Sequence, residues 1–94
     1  MNRSIYVISY DVCDNARRRK IARYLEGAGR RVQESVFETF ATMKEAAVII
    51  QNCAPYLNEG ENDSLRTYRF CANCAEHFRQ LGGVVCHWGK DFIV

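Results

Sequence analysis

The sequence has no apolar run long enough to span a bilayer, and no stretch that reads as a secretory signal. A membrane role and export are therefore not expected, and the cytoplasm is the expected compartment. It has no glycine-rich loop of the kind that cradles nucleotide phosphates, since Gly82-Gly83 reads only as a turn. No Ser, His and Asp fall in the order of a hydrolase triad. The CxxC pair, Cys71 and Cys74, has no second copy, which argues against a zinc site. Internal repeats are absent. The net charge, +2, is too small to require a polyanionic partner by itself.

Ninety-four residues make one domain, and the hydrophobic fraction of 48% with mixed charges excludes a disordered chain. A chain this short buries a thin core, so self-association is expected. Its charge is unevenly placed. Arg17 to Arg31 holds seven Lys or Arg against one acid, Glu26, whereas Glu59 to Asp63 is acidic. That makes a basic region rather than a basic surface. The five cysteines are odd in number and fall mostly at apolar positions of helices or strands. Reduced thiols are the expectation. Cys71, Cys74, Ala75, Phe78 and Leu81 form one helical stripe, so both thiols of the pair read as core, and His77 and His87 as structural or surface residues.

Ile5 to Tyr10 (IYVISY) has the composition of a central strand, and Asp11 ends it. Asp14 or Asn15 can cap the helix that follows, which runs to about Ala28 with Ile21, Ala22, Leu25 and Ala28 inward and Gly29 at its C′ position. Arg30 to Phe40 is extended. Val32, Val36 and Phe40 alternate with Glu34 and Glu38, and Phe37 falls on the opposite face. The segment is therefore either bent near Ser35 or buried on its second face by a partner. Thr42 and Glu45 form a capping box before a helix carrying Ala46, Ile49, Ile50, Cys53 and Leu57, limited by Pro55. Asn58 to Asp63 is a turn and Ser64 to Phe70 a strand. A short helix over Cys71 to Leu81, a strand over Val84 to Trp88 and an apolar tail, Asp91 to Val94, complete the pattern. One strand over Arg30 to Phe40 gives a run of βα units; two strands give the βαββαβ order of a ferredoxin-like sandwich.

Asp11 by itself reads as a turn residue. Its neighbourhood adds to that, because Arg17, Arg18, Arg19 and Lys20 in the first turn of a helix oppose the helix dipole. Phosphate ligation would offset that opposition, since Arg forks match phosphate oxygens. One carboxylate per chain is a poor Mg²⁺ site, whereas a twofold dimer would supply two. Phe37 and the tail Phe92-Ile93-Val94 are the expected apolar contacts of such a dimer.

Four pieces taken together carry a resemblance. They are Tyr10-Asp11, the run Arg17 to Lys20, G-x-RVQxSVFE over Gly29 to Glu38, and DSLRxY over Asp63 to Tyr68 followed by CxxC. The combination resembles the CRISPR-associated Cas-two family. The resemblance implies an α+β, ferredoxin-like βαββαβ domain over residues 1–94, with an antiparallel sheet and helices on one face. Residues 1–81 are best matched, and 82–94 form a C-terminal edge strand or arm. It implies a homodimer in which two Asp11 share Mg²⁺ for phosphodiester hydrolysis in RNA, double-stranded DNA or both, Asp11 being the catalytic and metal carboxylate. Arg17, Arg18, Lys20 and Arg31 map onto nucleic-acid-binding positions, and Tyr10 and Phe37 onto supporting and interface positions. The implied partner is the Cas-one integrase, in spacer acquisition. The alternatives are a non-catalytic DNA-binding scaffold of that integrase and a toxin-type ribonuclease of the same fold.

Overall fold

The structure is a computed structural model and describes residues 2–70. The expected helix over Cys71 to Leu81, the later strand, the tail and the CxxC pair lie outside the described residues. Chain order is β1 (Ser4–Asp11), α1 (Asn15–Ala28), β2 (Arg30–Gln33), β3 (Val36–Ala41), α2 (Met43–Cys53) and β4 (Ser64–Phe70), with single 3₁₀ turns at Ala54–Tyr56 and Glu59–Glu61 between α2 and β4. The strands form one sheet in the order β2-β3-β1-β4, and every pairing is antiparallel. This is the βαββαβ arrangement, so the two-strand reading of Arg30 to Phe40 holds. The break falls at Glu34-Ser35.

Side chains alternate across a strand, so residue parity identifies the covered face. Ile8, Tyr10 and Val12 share a buried cluster with Ile21, Ala22 and Leu25 of α1, Cys53 of α2 and Phe37 of β3. Tyr6, of the same parity, packs with Ala41 and with Ala46 of α2. Both helices therefore lie on one face. Ile5, Val7, Ser9 and Asp11 lie on the other, beside their ladder neighbours Arg66 and Tyr68 of β4.

Phe37 is a correction. It is 1% exposed and sits in the core between sheet and helices, where an exposed apolar contact was expected. The turn at Glu34-Ser35 and a register shift between Arg31 and Gln33 set the parity of β3, which puts Phe37, Thr39 and Ala41 inward and Val36, Glu38 and Phe40 on the opposite face. Small Thr39 and Ala41 leave room for the helices, and the Thr39 hydroxyl donates to the Ala28 carbonyl at 2.7 Å.

Local chemistry accounts for the element ends. Asp14 caps α1, its carboxylate accepting from the Arg17 N–H at 2.9 Å. Thr42 and Glu45 close the capping box of α2 at 3.1 and 2.8 Å. α2 stops at Cys53, one residue before the Pro-containing 3₁₀ turn, so Leu57 follows the helix rather than belonging to it. Gly29 ends α1 in extended backbone rather than a left-handed cap. Its requirement is close approach: a Cβ there would stand 2.3 Å from the Glu38 carbonyl oxygen. Among the described residues no helix is long and apolar enough to cross a membrane.

Candidate functional site

β1 is flanked by β3 and β4, and its last residue, Asp11, pairs with Ser64 at the end of the β1–β4 ladder. The carboxylate is exposed there between two shallow clefts. One, about 290 Å³, is lined by Tyr10, Asp11, Val12, Arg18, Glu34 and Ser35. The other, about 230 Å³, is lined by Ser9, Tyr10, Asp11, Ser64, Arg66 and Tyr68. The carboxylate thus stands at the end of an inner strand with Arg18 on one side and Arg66 on the other.

A third groove, of about 360 Å³, runs beside α1. Its lining includes Arg18, Arg19, Arg23 and Arg31, with Glu26 and Glu34 as its acids. Arg18 and Glu34 line both this groove and the Asp11 cleft, so the two are adjacent. Its guanidinium is oriented, one nitrogen donating to the Val12 carbonyl at 2.9 Å and the other to the Asn15 side chain. Helical spacing puts Arg19 and Arg23 on one side of α1, since residues four apart are neighbours.

Arg31 comes from β2 and is fixed by the turn that follows it. Its Nε and one Nη donate to the Glu34 carbonyl at 3.2 and 2.7 Å, and the guanidinium lies 5.5 Å from the Phe37 ring centroid. The Tyr10 hydroxyl donates to the same carbonyl at 3.3 Å. That oxygen thus ties the β2–β3 turn to the end of β1. Tyr10 is 3% exposed, with its ring stacked on Phe37 at a centroid distance of 6.3 Å. Burial pushes the Tyr10 hydroxyl above its ordinary pKa, and the nearby Arg31 charge offsets only part of that. At neutral pH Tyr10 is therefore a protonated donor that supports the site from inside the core.

The structure thus gathers Asp11, Arg18 and Arg31 around one end of the sheet, with Tyr10 and Phe37 beneath them. Lys20 is exposed on α1 outside the lining of these clefts. Arg17 is directed away from the groove, its guanidinium 2.9 Å from Asp63 and 3.3 Å from Glu61. Nothing in the residue pattern marks that pairing. Asp63 stands among Glu59, Glu61 and two Asn in an acidic turn, and composition does not mark which acid is buried. Arg19, Arg23 and Arg66 were legible only as members of a basic or polar stretch.

Among the described residues no three Asp, Glu, His or Cys side chains come together in a way that could hold a metal ion. Asp11 and Glu34 are the acids of the cleft at the strand end, too few among the described residues of one copy to enclose a divalent cation. This donor set does not complete a Mg²⁺ site within one copy.

Comparison with known proteins agrees with this architecture. Residues 4–78 match the family model described as CRISPR associated protein Cas2. A protein of Chloroflexus aurantiacus named CRISPR-associated endoribonuclease Cas2 1 is 43% identical over 77 residues, covering 82% of this chain and 83% of its own length. The crystal structure of Streptococcus pyogenes Cas2 superposes with a TM-score of 0.70 at 30% identity, covering 83% of this chain and 99% of that one. A chain of a partial Cas6-RT-Cas1–Cas2 complex has the same fold, with a TM-score of 0.73 at 24% identity, covering 97% of this chain and 99% of that one. With the motifs, the sheet order and the match over residues 4–78 in agreement, the chain belongs to the CRISPR-associated protein Cas2 family.

Proposed function

We propose that the protein is an endonuclease of CRISPR adaptation that acts as a homodimer, with Asp11 of each copy at a shared phosphodiester-cleaving site. The observation that carries this reading is the placement of Asp11. It is an exposed carboxylate at the end of an inner strand, in a cleft that shares Arg18 with an adjacent arginine-lined groove. The name of the Chloroflexus relative makes RNA the first substrate to test, with double-stranded DNA the second. Two Asp11 side chains would hold Mg²⁺, which when bound would activate water and screen the phosphate.

The chain's own residues do the rest. Arg18 and Arg31 are already oriented by backbone carbonyls, so little side-chain entropy remains to be lost when they meet phosphate oxygens. Lys20 adds long-range attraction for the same backbone. Tyr10 and Phe37 hold the β2–β3 turn, and with it Arg31, against the end of β1. Replacing Asp11 by Asn is expected to abolish cleavage of RNA while leaving affinity within about threefold, since only a transition-state interaction is lost. Undiminished cleavage by purified D11N would sink the reading.

One observation favours a second function for the same surface. The groove is richer in cations than in groups able to do chemistry, as a scaffold gripping a duplex backbone would be. In that reading the dimer serves a Cas1 integrase, the protein that accompanies Cas2 in the complex of the same fold. Charge reversal at Arg18 and Arg31 then destroys DNA binding, and D11N retains spacer acquisition.

A further inference from the structure

The carboxylate of Asp63 takes no part in the groove, yet it is the most completely engaged acid near Asp11. Its side chain is 0% exposed. Oδ1 accepts the Cys13 N–H at 3.1 Å, and Oδ2 accepts the Asn58 N–H and an Arg17 Nη donor, both at 2.9 Å. Burial would push this carboxyl up, but the bonds from Asn58, Cys13 and Arg17 outweigh it and hold the pKa below the ordinary carboxylate value. One acid thus joins the β1–α1 turn, the turn before β4 and the first turn of α1.

The peptide unit between Val12 and Cys13 is the second one beyond Asp11. Its carbonyl is held by Arg18 at 2.9 Å and its N–H by Asp63 at 3.1 Å. A peptide is planar, so gripping both polar ends fixes the plane and the direction in which the chain leaves Val12, the residue after Asp11. On the other side of the cleft Ser64, the residue after Asp63, is the ladder partner of Asp11. The carboxylate of Asp11 is therefore framed by two segments that Asp63 joins.

We infer that Asp63 is the positioning residue of the Asp11 site and that Arg17 is its counter-ion in this clasp, not a ligand for phosphate. The inference rests on the reading of Asp11 as the site's carboxylate. Arg17 meets two carboxylates, its side chain is only 24% exposed, and its Nε is buried without a partner among the described residues. A phosphate approaching it would meet the charges of Glu61 and Asp63 as well. The place of Arg17 against the helix dipole is compensated from within the chain.

The test uses the full chain with D63N, R17A, R17K, D11N and R18A, and three measurements. The first is amide exchange at Cys13, expected to quicken by about tenfold or more in D63N, with the Ile8 and Tyr10 amides unchanged. The second is cleavage of a single-stranded RNA, where kcat is expected to fall on the order of 10²-fold in D63N and R17A with KM nearly constant. R17K is expected to recover part of that loss. The third is the salt dependence of RNA affinity. R17A is expected to keep the wild-type slope of log K against log salt, whereas R18A becomes shallower by about 0.7, the value of one lost phosphate contact on a single strand. Should D63N fail to fold, R17A carries the test, because it leaves both backbone bonds to Asp63 in place.

Unchanged exchange at Cys13 in D63N overturns the clasp, and so does a salt slope in R17A that drops as it does in R18A. If D11N is inactive and D63N keeps full kcat, the positioning role falls and the reading of Asp11 stands. If D11N cleaves normally, that reading falls, and the exchange and salt measurements still judge the clasp.

Discussion

Two glycines separated by one residue are expected to respond to alanine with opposite signs. Gly27 lies near the end of α1, exposed, with nothing within 4 Å of the position a Cβ would take. Alanine there removes the backbone entropy that glycine loses on entering a helix, a gain of about 0.5–1 kcal/mol. Gly29 faces β3 instead. Its Cβ would lie 2.3 Å from the Glu38 carbonyl oxygen and 3.1 Å from both the Glu38 carbonyl carbon and the Thr39 Cβ. An ordinary carbon–oxygen contact needs about 3.3 Å, so the main chains must separate by roughly 1 Å. β3 cannot move alone, because it is paired with both β1 and β2. α1 cannot withdraw without loosening the Thr39 bond to the Ala28 carbonyl at 2.7 Å. Overpacking of this kind costs about 1–3 kcal/mol. The stiffer unfolded chain returns about 0.4–1 kcal/mol, leaving G29A less stable by about 1–2 kcal/mol. For a domain of this size each kcal/mol moves Tm by about 4–8 °C, so G29A should melt roughly 5–15 °C lower and G27A a few degrees higher. Urea unfolding followed by circular dichroism, at one protein concentration because self-association would shift the midpoint, reads both changes with m unchanged. A G29A midpoint at or above wild type, or shifts of the same sign in both variants, would refute the packing of α1 on β3 described above.

Phe37→Ala should destabilise the protein by about 3–5 kcal/mol, as expected for a core aromatic, and a variant of normal stability that only changes association would contradict its placement. Thr42→Ala removes one half of a capping box and should cost about 1 kcal/mol in urea unfolding; no measurable loss would mean that α2 does not start there. Asp63, Asp14 and Glu45 all have folded pKa values below their ordinary ones. The unfolded chain therefore binds more protons as pH falls, so their stabilisation is complete above the ordinary carboxylate range and is lost as pH drops through each folded value. The urea midpoint should be level from pH 7 to about 5 and fall steeply below about pH 4, less steeply in D63N; a midpoint that rises in acid would contradict these bonds.

Much of this was legible in the chain because it depends on local chemistry. Ser64 to Phe70 is bounded by an acidic turn, Thr42 and Glu45 are at the spacing of a capping box, and Asp11 follows a β-branched run. Each of those readings matches the structure. Phe37 did not follow, because parity along Arg30 to Phe40 was read from the larger apolar residues. The inward set is in fact Phe37, Thr39 and Ala41, whose two small members carry little hydrophobic signal, and the register shift between Arg31 and Gln33 hides the change of phase. The position of Gly29 after the helix suggests a conformational cap, whereas its role is one of space. The Arg17–Asp63 pair joins residues 46 apart, and no periodicity within either segment refers to the other.

The position of β1 in the sheet has a consequence for the order of assembly. The first strand made is an inner one, and the partner that completes its far side is the last strand described, β4. The hairpin of β2 and β3 can dock on β1 and α1 while the rest of the chain is still being synthesised, at about 5–20 residues per second. The turn after Asp11 has no Asp63 to bind until residue 63 has emerged, and its hydrogen bond closes a separation of 50 residues. The side of the Asp11 site that β4 lines is thus completed late, after the rest of the sheet is in place.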